Sequence, residues 1–218
     1  VVWHRGTRLE GRFSTRLLLP DYISNLRKLH EDEAVPLLAH NLVFLDKEAD
    51  SDYIDRDILY SILDKDPKRA MAYWFVSVNV LNEPDALNYE VKTYGTDFIF
   101  RVTLNLGFRK SPRVNVYLRQ IVQDLQQSGE LPPQMKKYSI YGPSQVGTFK
   151  FCILHKSVTT KTELSDFDEF IMNTKYAIRH AAGSKIQWYG LDTANIIKEN
   201  VPLIVSGGAA AERIRRVK

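Results

Sequence analysis

The chain has 218 residues and a mass of 25.1 kDa, enough for one large domain or two small ones with a core that needs no staples. Its 44% hydrophobic and 26% charged residues exclude a disordered or fibrous chain, its single cysteine excludes a disulfide framework and fits a reducing compartment, and no apolar run reaches the roughly 18 residues that span a bilayer. The formal net charge of +4 gathers at the two ends, Arg5, Arg8, Arg12 and Arg16 at one and Arg213, Arg215, Arg216 and Lys218 at the other, which leaves a slightly acidic body and argues against a nucleic-acid polymer as partner.

Pro20-Asp21-Tyr22-Ile23 opens a short helix with Tyr22, Ile23, Leu26 and Leu29 on its apolar side, and the acidic run Glu31-Asp32-Glu33 followed by Pro36 ends it. Asn41 to Leu45 is a short apolar run of strand type. From Asp55 to Asp64 the apolar Ile58, Leu59, Ile62 and Leu63 share one helical face, with Pro67 as the stop. Ala72 to Val80 is rich in aromatic and β-branched residues and suits a strand buried on both faces, so 41–80 reads as a β-α-β unit.

Between Phe98 and Phe108 apolar residues alternate with Arg101, Thr103 and Asn105, which predicts a strand with one face on the core and the other toward water or a partner. Residues 86–94 pair with it as a long antiparallel hairpin through Tyr94-Gly95-Thr96-Asp97. Leu118, Ile121, Val122 and Leu125 then mark an amphipathic helix over 115–127, closed by Gly129 and Pro132-Pro133. Tyr138–Tyr141 and Thr148–Val158 read as strands, Ser165 caps a long helix, and strand-like pieces at Gln187–Leu191 and Leu203–Val205 finish the body. The fold class is α/β: a single domain over 21–206 with a mixed sheet and packed amphipathic helices, between a basic segment at 1–20 and a basic tail at 207–218.

Chemistry-bearing motifs are sparse. Gly142 to Thr148 has the two-glycine spacing of a phosphate-binding loop but lacks the lysine and the helix that must follow, so it reads as a glycine-proline turn. The five histidines never fall at metal-ligand spacing, and Cys152, in an apolar strand, reads as a packed thiol. The carboxylates of Asp46–Asp57 read as a solvated loop and those of Asp166–Glu169 as the start of a helix. No catalytic constellation emerges. One link does suit an anionic ligand: Arg109, Lys110 and Arg113, with Asn115 at the start of the helix and Tyr117 and Tyr141 as possible stacking surfaces for a base, join the long strand to a helix. A basic solvated loop is the alternative. The arginines at 5, 8, 12 and 16 suit a segment lying beside anionic headgroups.

Ala39-His40-Asn41-Leu42-Val43-Phe44-Leu45, Asp57-Ile58-Leu59-Tyr60-Ser61-Ile62 and Pro67-Lys68-Arg69-Ala70-Met71-Ala72-Tyr73-Trp74-Phe75 occur in an order that resembles the cytosolic C-terminal region of Kup-type potassium uptake permeases. Phe100 to Phe108 and Pro112-Arg113-Val114-Asn115-Val116-Tyr117-Leu118 continue the resemblance, which is to the version found in lactic-acid bacteria and covers essentially the whole chain. Trp3-His4-Arg5-Gly6-Thr7 is similar to the segment that follows the last membrane helix, so a chain trimmed there would begin without methionine. The resemblance implies a non-enzymatic regulatory and assembly domain on the cytoplasmic face of the cell membrane, attached to its own transmembrane domain, which imports potassium with protons. It further implies inhibition by cyclic di-AMP, with no cofactor and no metal. A two-fold symmetric ligand fits between two copies, which makes a homodimer the expected assembly. The rivals are a ligand-free dimerisation domain and a soluble α/β enzyme or nucleotide hydrolase.

Overall fold

The two longest apolar segments become neighbouring strands in the middle of a sheet. The computed structural model describes residues 15–47, 52–136, 138, 140, 144–157, 185–191 and 193–202. In chain order these form β1 (Arg16–Leu18), a 3-10 turn (Leu19–Tyr22), α1 (Ile23–Glu31), β2 (Leu37–Leu45), β3 (Tyr53–Asp55) and α2 (Arg56–Tyr60), which runs on as a π-helical turn (Ser61–Lys65). Then come β4 (Arg69–Leu81), β5 (Leu87–Lys92), β6 (Ile99–Gly107), α3 (Val114–Ser128), β7 (Phe149–Ser157), α4 (Lys185–Trp188) and β8 (Ile196–Pro202).

The main sheet has six strands in the order β5-β6-β4-β2-β7-β8. β2, β4, β6, β7 and β8 are parallel and β5 alone is antiparallel, so the sheet is mixed, and 37–81 is the expected β-α-β unit. β1 and β3 form a separate two-stranded ribbon. Apolar side chains line both faces. Trp74, Phe100, Val102, Leu104 and Phe151 face Leu118, Ile121, Val122 and Leu125 of α3. On the other face Leu42, Phe44, Tyr73 and Phe75 meet Leu26 and Leu29 of α1 and Ile58, Leu59 and Ile62 of α2 and its π-helical turn. Trp74 and Phe100 stack at 4.5 Å with 18° between their planes.

Local chemistry sets the boundaries. The Asp55 carboxylate accepts from the Asp57 amide at 3.1 Å and caps α2. Gly129 closes α3 in the left-handed region at φ 81, as its place after the last apolar residue predicted. The hairpin turns through Tyr94 (φ 54) and Gly95 (φ 68), and the Thr96 amide donates to the Thr93 carbonyl at 3.0 Å, a primed turn whose twist matches the strands it joins.

Four expectations are corrected. All of β6 is buried, Arg101, Thr103 and Asn105 included, where alternation predicted a face toward water or a partner. β6 lies between β4 and β5, and part of its polar row is satisfied inside the sheet. Asn79 donates to Asn105 Oδ1 at 3.1 Å, and Asn105 donates to Asn88 Oδ1 at 3.0 Å and Glu90 Oε1 at 3.1 Å. Asp46, read as loop composition, is buried and ion-paired. Tyr138 and Ile140 are assigned to no strand and are 93% and 91% exposed, where the apolar pattern predicted a buried strand. Gln187–Leu191 does not extend: α4 ends at Trp188, and Gly190 at φ 63 turns the chain where the Tyr189 carbonyl accepts from Val114 at 3.2 Å. Tyr141, the segment 158–184 with its expected helix, Leu203–Val205 and the tail 207–218 lie outside the described residues, as do Arg5, Arg8 and Arg12.

Candidate functional site

In an open α/β sheet, ligand sites favour the carboxyl ends of the strands where the strand order reverses. Here the chain moves from β2 outward to β4 and β6, and α3 then carries it back across to β7 and β8, so the reversal lies between β2 and β7. Asp46 immediately follows β2 at this point. Its Oδ2 accepts from Arg101 Nη2 at 3.0 Å and lies 3.5 Å from Arg16 Nη2, while its Oδ1 accepts from the Lys47 amide at 2.7 Å. Burial pushes the Asp46 carboxyl above its ordinary pKa, against the pull of Arg101 and Arg16. Burial likewise raises the Tyr189 phenol, and the charge of Asp46 adds to the shift. Arg16 also donates to the Tyr53 carbonyl at 2.7 Å, so one carboxylate ties the lead strand β1 to the buried strand β6. Sequence reasoning missed this cluster. Its signal was an arginine inside a strictly alternating strand and an aspartate closing an apolar one.

The basic link lies at the same end of the sheet. Arg109 and Arg113 are exposed, and the Arg109 guanidinium lies 5.9 Å from the Phe108 ring centroid. Lys110 pairs with Asp85 at 3.3 Å. Asn115 accepts from Arg119 Nε at 3.4 Å, and the Tyr117 hydroxyl donates to the Ser111 carbonyl at 3.1 Å. The structure thus places Arg109 and Arg113 on the strand-to-helix link, exposed to solvent, and Asn115 and Tyr117 in the first turn of α3, where Asn115 is engaged by Arg119 and Tyr117 by Ser111. Tyr141 lies outside the described residues. Gly107 is required here, because a Cβ would collide with the carbonyl oxygens of Glu83 and Pro84.

The amino end of the sheet holds a tighter polar cluster. Asn41 and Gln134 exchange hydrogen bonds at 2.6 and 2.8 Å, and Asn41 Oδ1 also accepts from the Trp74 indole at 2.9 Å. The Gly147 amide donates to Gln134 Oε1 at 3.2 Å, and a Cβ at Gly147 would collide with the His40 side chain. That amide and that lack of a side chain serve packing, while Gly142 and Pro143 lie outside the described residues. His40 Nδ1 accepts from the Thr148 amide at 3.2 Å and faces Thr148 Oγ1 at 2.9 Å, which puts the ring proton on Nε2. Burial and then the charge of Lys136 lower the His40 pKa. A folded pKa below the unfolded value gives stability that is complete above the unfolded value and lost as pH falls from there through the folded value. Thermal melts between about pH 7.5 and 5 should therefore show a loss of stability that His40→Asn, with an acceptor oxygen in place of Nδ1, flattens. An unchanged slope in the variant would clear His40.

On the far side, Lys68, 2% exposed, donates to the Ser61 carbonyl at 2.5 Å and pairs with Glu199 at 3.0 Å, and Ser61 Oγ donates to Glu199 at 2.6 Å. Burial opposes the Glu199 carboxylate, but Ser61 and Lys68 outweigh it and hold its pKa below the ordinary value. The Cys152 thiol is pushed up to about 11 by burial, so it is a packed and unreactive sulfur. Among the described residues no group of three or more His, Cys, Asp or Glu side chains could hold a metal ion, and no helix is long and apolar enough to cross a membrane.

Residues 39–203 match the family described as K+ potassium transporter C-terminal domain. The chain is 45% identical over 205 residues to the probable potassium transport system protein Kup of Streptococcus pyogenes serotype M28 (strain MGAS6180), covering 94% of this chain and 31% of that protein. Identity to the protein of the same name from serotype M49 (strain NZ131) is 44% over the same coverage. The chain thus spans 31% of the length of these curated relatives. No solved structure matches it significantly.

Proposed function

Because the chain belongs to the K+ potassium transporter C-terminal domain family, we propose that it is the cytosolic regulatory and dimerisation domain of a proton-coupled potassium importer, which binds cyclic di-AMP and thereby restrains uptake. The match over 39–203 carries the assignment to potassium transport. Support for the anionic ligand comes from the exposed Arg109 and Arg113 on the strand-to-helix link. The domain would sit on the cytoplasmic face of the cell membrane beside its own transmembrane part, with Arg5, Arg8, Arg12 and Arg16 under anionic headgroups. A ligand acts only through a different affinity for two states. In this reading the messenger favours one packing of two paired domains, and the bias reaches the membrane helices through Arg16, which Asp46 ties to the sheet.

Calorimetric titration of the chain with cyclic di-AMP should give saturable heat. Arg109→Ala and Arg113→Ala should each weaken binding by about 1.5–3 kcal/mol, the worth of a hydrogen bond to a charged phosphate. Heat with unchanged affinity in both variants would move the site elsewhere. The engagement of Asn115 by Arg119 and of Tyr117 by Ser111 favours one rival, a ligand-free dimerisation domain. That rival predicts a dimer whose melting temperature no nucleotide changes.

A further inference from the structure

Four of the eleven large apolar side chains exposed among the described residues gather at one end of the sheet. Val80, Leu87, Phe108 and Trp188 are 56%, 54%, 61% and 52% exposed, and all four lie at the carboxyl end of the sheet. Single exposed apolar residues are ordinary, whereas a cluster of them marks a contact surface. Val80 and Leu87 flank Leu106 in the register of β4, β6 and β5, and Phe108 follows directly. β2 ends at Leu45 opposite Val76, so β4 runs on to Leu81 and carries this tip about 15 Å beyond it. Trp188 is held nearby, since Gly190 packs against the Arg113 backbone and Tyr189 bonds Val114.

Two further observations bear on what the surface faces. The lead strand β1 sits at this same end: the Arg56 amide donates to the Thr15 carbonyl at 3.0 Å, and Arg16 reaches Asp46. Arg109, Lys110 and Arg113 rim the tip against Glu83 and Asp85, with Asp85 taken up by Lys110. Exposed aromatic rings interleaved with arginines suit the headgroup layer of a bilayer, where the rings lie at the apolar boundary and the cations meet phosphate. Leu37, Tyr53, Tyr89 and Val116 are exposed too, and a further group, Met135, Tyr138 and Ile140, adjoins Gln134 near the amino end, about 26 Å from Val80 along β4.

We infer that the carboxyl end of the sheet is a membrane-contact surface: Phe108, Leu87, Val80 and Trp188 enter the headgroup layer of an anionic bilayer, whose phosphates compete with the dinucleotide for Arg109 and Arg113. The inference rests on the reading of the chain as the cytosolic part of a membrane transporter and adds to it a second contact, distinct from the N-terminal arginines. The tip's net charge is small, so apolar insertion supplies most of its affinity, and that part survives salt.

The test uses the 218-residue chain with Trp3→Phe, so that Trp188 reports, and vesicles of phosphatidylcholine with phosphatidylglycerol. Brominated lipid should quench Trp188 and leave the buried Trp74 unaffected. Phe108→Ser with Leu87→Ser should lower partitioning roughly tenfold, and the loss should persist at high salt, where replacing Arg5, Arg8 and Arg12 with Gln has little further effect. Both substituted positions are exposed, and an unchanged thermal melt verifies folding. Absence of vesicle binding, binding without Trp188 quenching, or binding unaffected by the double variant overturns the inference. So does a change in sedimentation mass of the double variant without lipid, which would assign the surface to a second copy of the chain. Cyclic di-AMP titration without vesicles reads the regulatory proposal separately, so either can fail alone.

Discussion

Arg101→Met should destabilise the fold by about 3–5 kcal/mol, the cost of leaving one partner of a buried ion pair behind. The Arg101 and Asp46 side chains are 4% and 3% exposed and 3.0 Å apart. Methionine fills much of the volume, so the loss is electrostatic rather than a cavity. Asp46 would keep Arg16 at 3.5 Å and the Lys47 amide at 2.7 Å, too little for a charge out of water. Its carboxyl, already raised by burial, would rise further. A folded pKa above the unfolded one means the folded state holds the proton more tightly, so the deficit shrinks on acidification and grows as pH rises through the unfolded value. Denaturant melts of Arg101→Met alone and with Asp46→Asn decide it. The second change should recover much of the loss by removing the stranded charge. A single variant within about 1 kcal/mol of the parent, or no recovery in the double variant, would show the pair to be dispensable. The same melts followed by hydrogen exchange should show β1 loosening first, because the Arg16 contact depends on where Asp46 is held.

Much of this architecture was legible because its elements bury a periodic face. Ile121 and Val122 in α3 and the aromatic run of β4 each announce an element that packs as its period demands, whereas the alternation in β6 announces the strand but not the burial of its polar row. What escaped depends on distant partners. Asp46 looks like the first residue of an acidic loop until the fold brings Arg101, 55 positions away, against it. β8 reads Ile-Ile-Lys-Glu-Asn-Val-Pro, poor strand composition, yet it pairs in parallel with β7 over seven residues and is pinned where Glu199 meets Lys68 and Ser61. Edge strands owe their state to the neighbour that offers hydrogen bonds more than to propensity. The same limit applies to the ligand link. Its cations and helix start were readable in order, but the engagement of Tyr117 by Ser111 and of Asn115 by Arg119 was not. The protruding tip with Phe108 was invisible too, since only the offset of β2 against β4 leaves it uncovered.

Asn41→Leu should cost about 3 kcal/mol or more although it adds apolar volume to a fully buried site. Asn41 is 0% exposed and sits where β2, the loop carrying Gln134 and the start of β7 converge. Its carboxamide serves three partners: the amide of Gln134 in both directions, the indole of Trp74 and, at 3.5 Å, the Thr148 carbonyl. Leucine leaves Gln134, 1% exposed, short of both bonds and leaves the Trp74 N–H without an acceptor. Each buried group stranded in this way costs about 1–3 kcal/mol, more than leucine's gain in transfer energy returns. Gln134 can keep its bond from the Gly147 amide at 3.2 Å, so the loops should loosen rather than detach. Two companions separate stranding from steric fit. Gln134→Met added to Asn41→Leu removes both halves of the pair and should recover part of the loss, and Trp74→Phe in the same background should recover the rest of the polar penalty at the expense of packing. Denaturant midpoints and near-ultraviolet circular dichroism of the Trp74 environment follow both. If Asn41→Leu melts like the parent, the amide pair is not what fastens the amino end of the sheet. If it melts early and neither companion recovers anything, the cost is one of shape, and the hydrogen bonds are bystanders to the packing of Trp74 against Phe100.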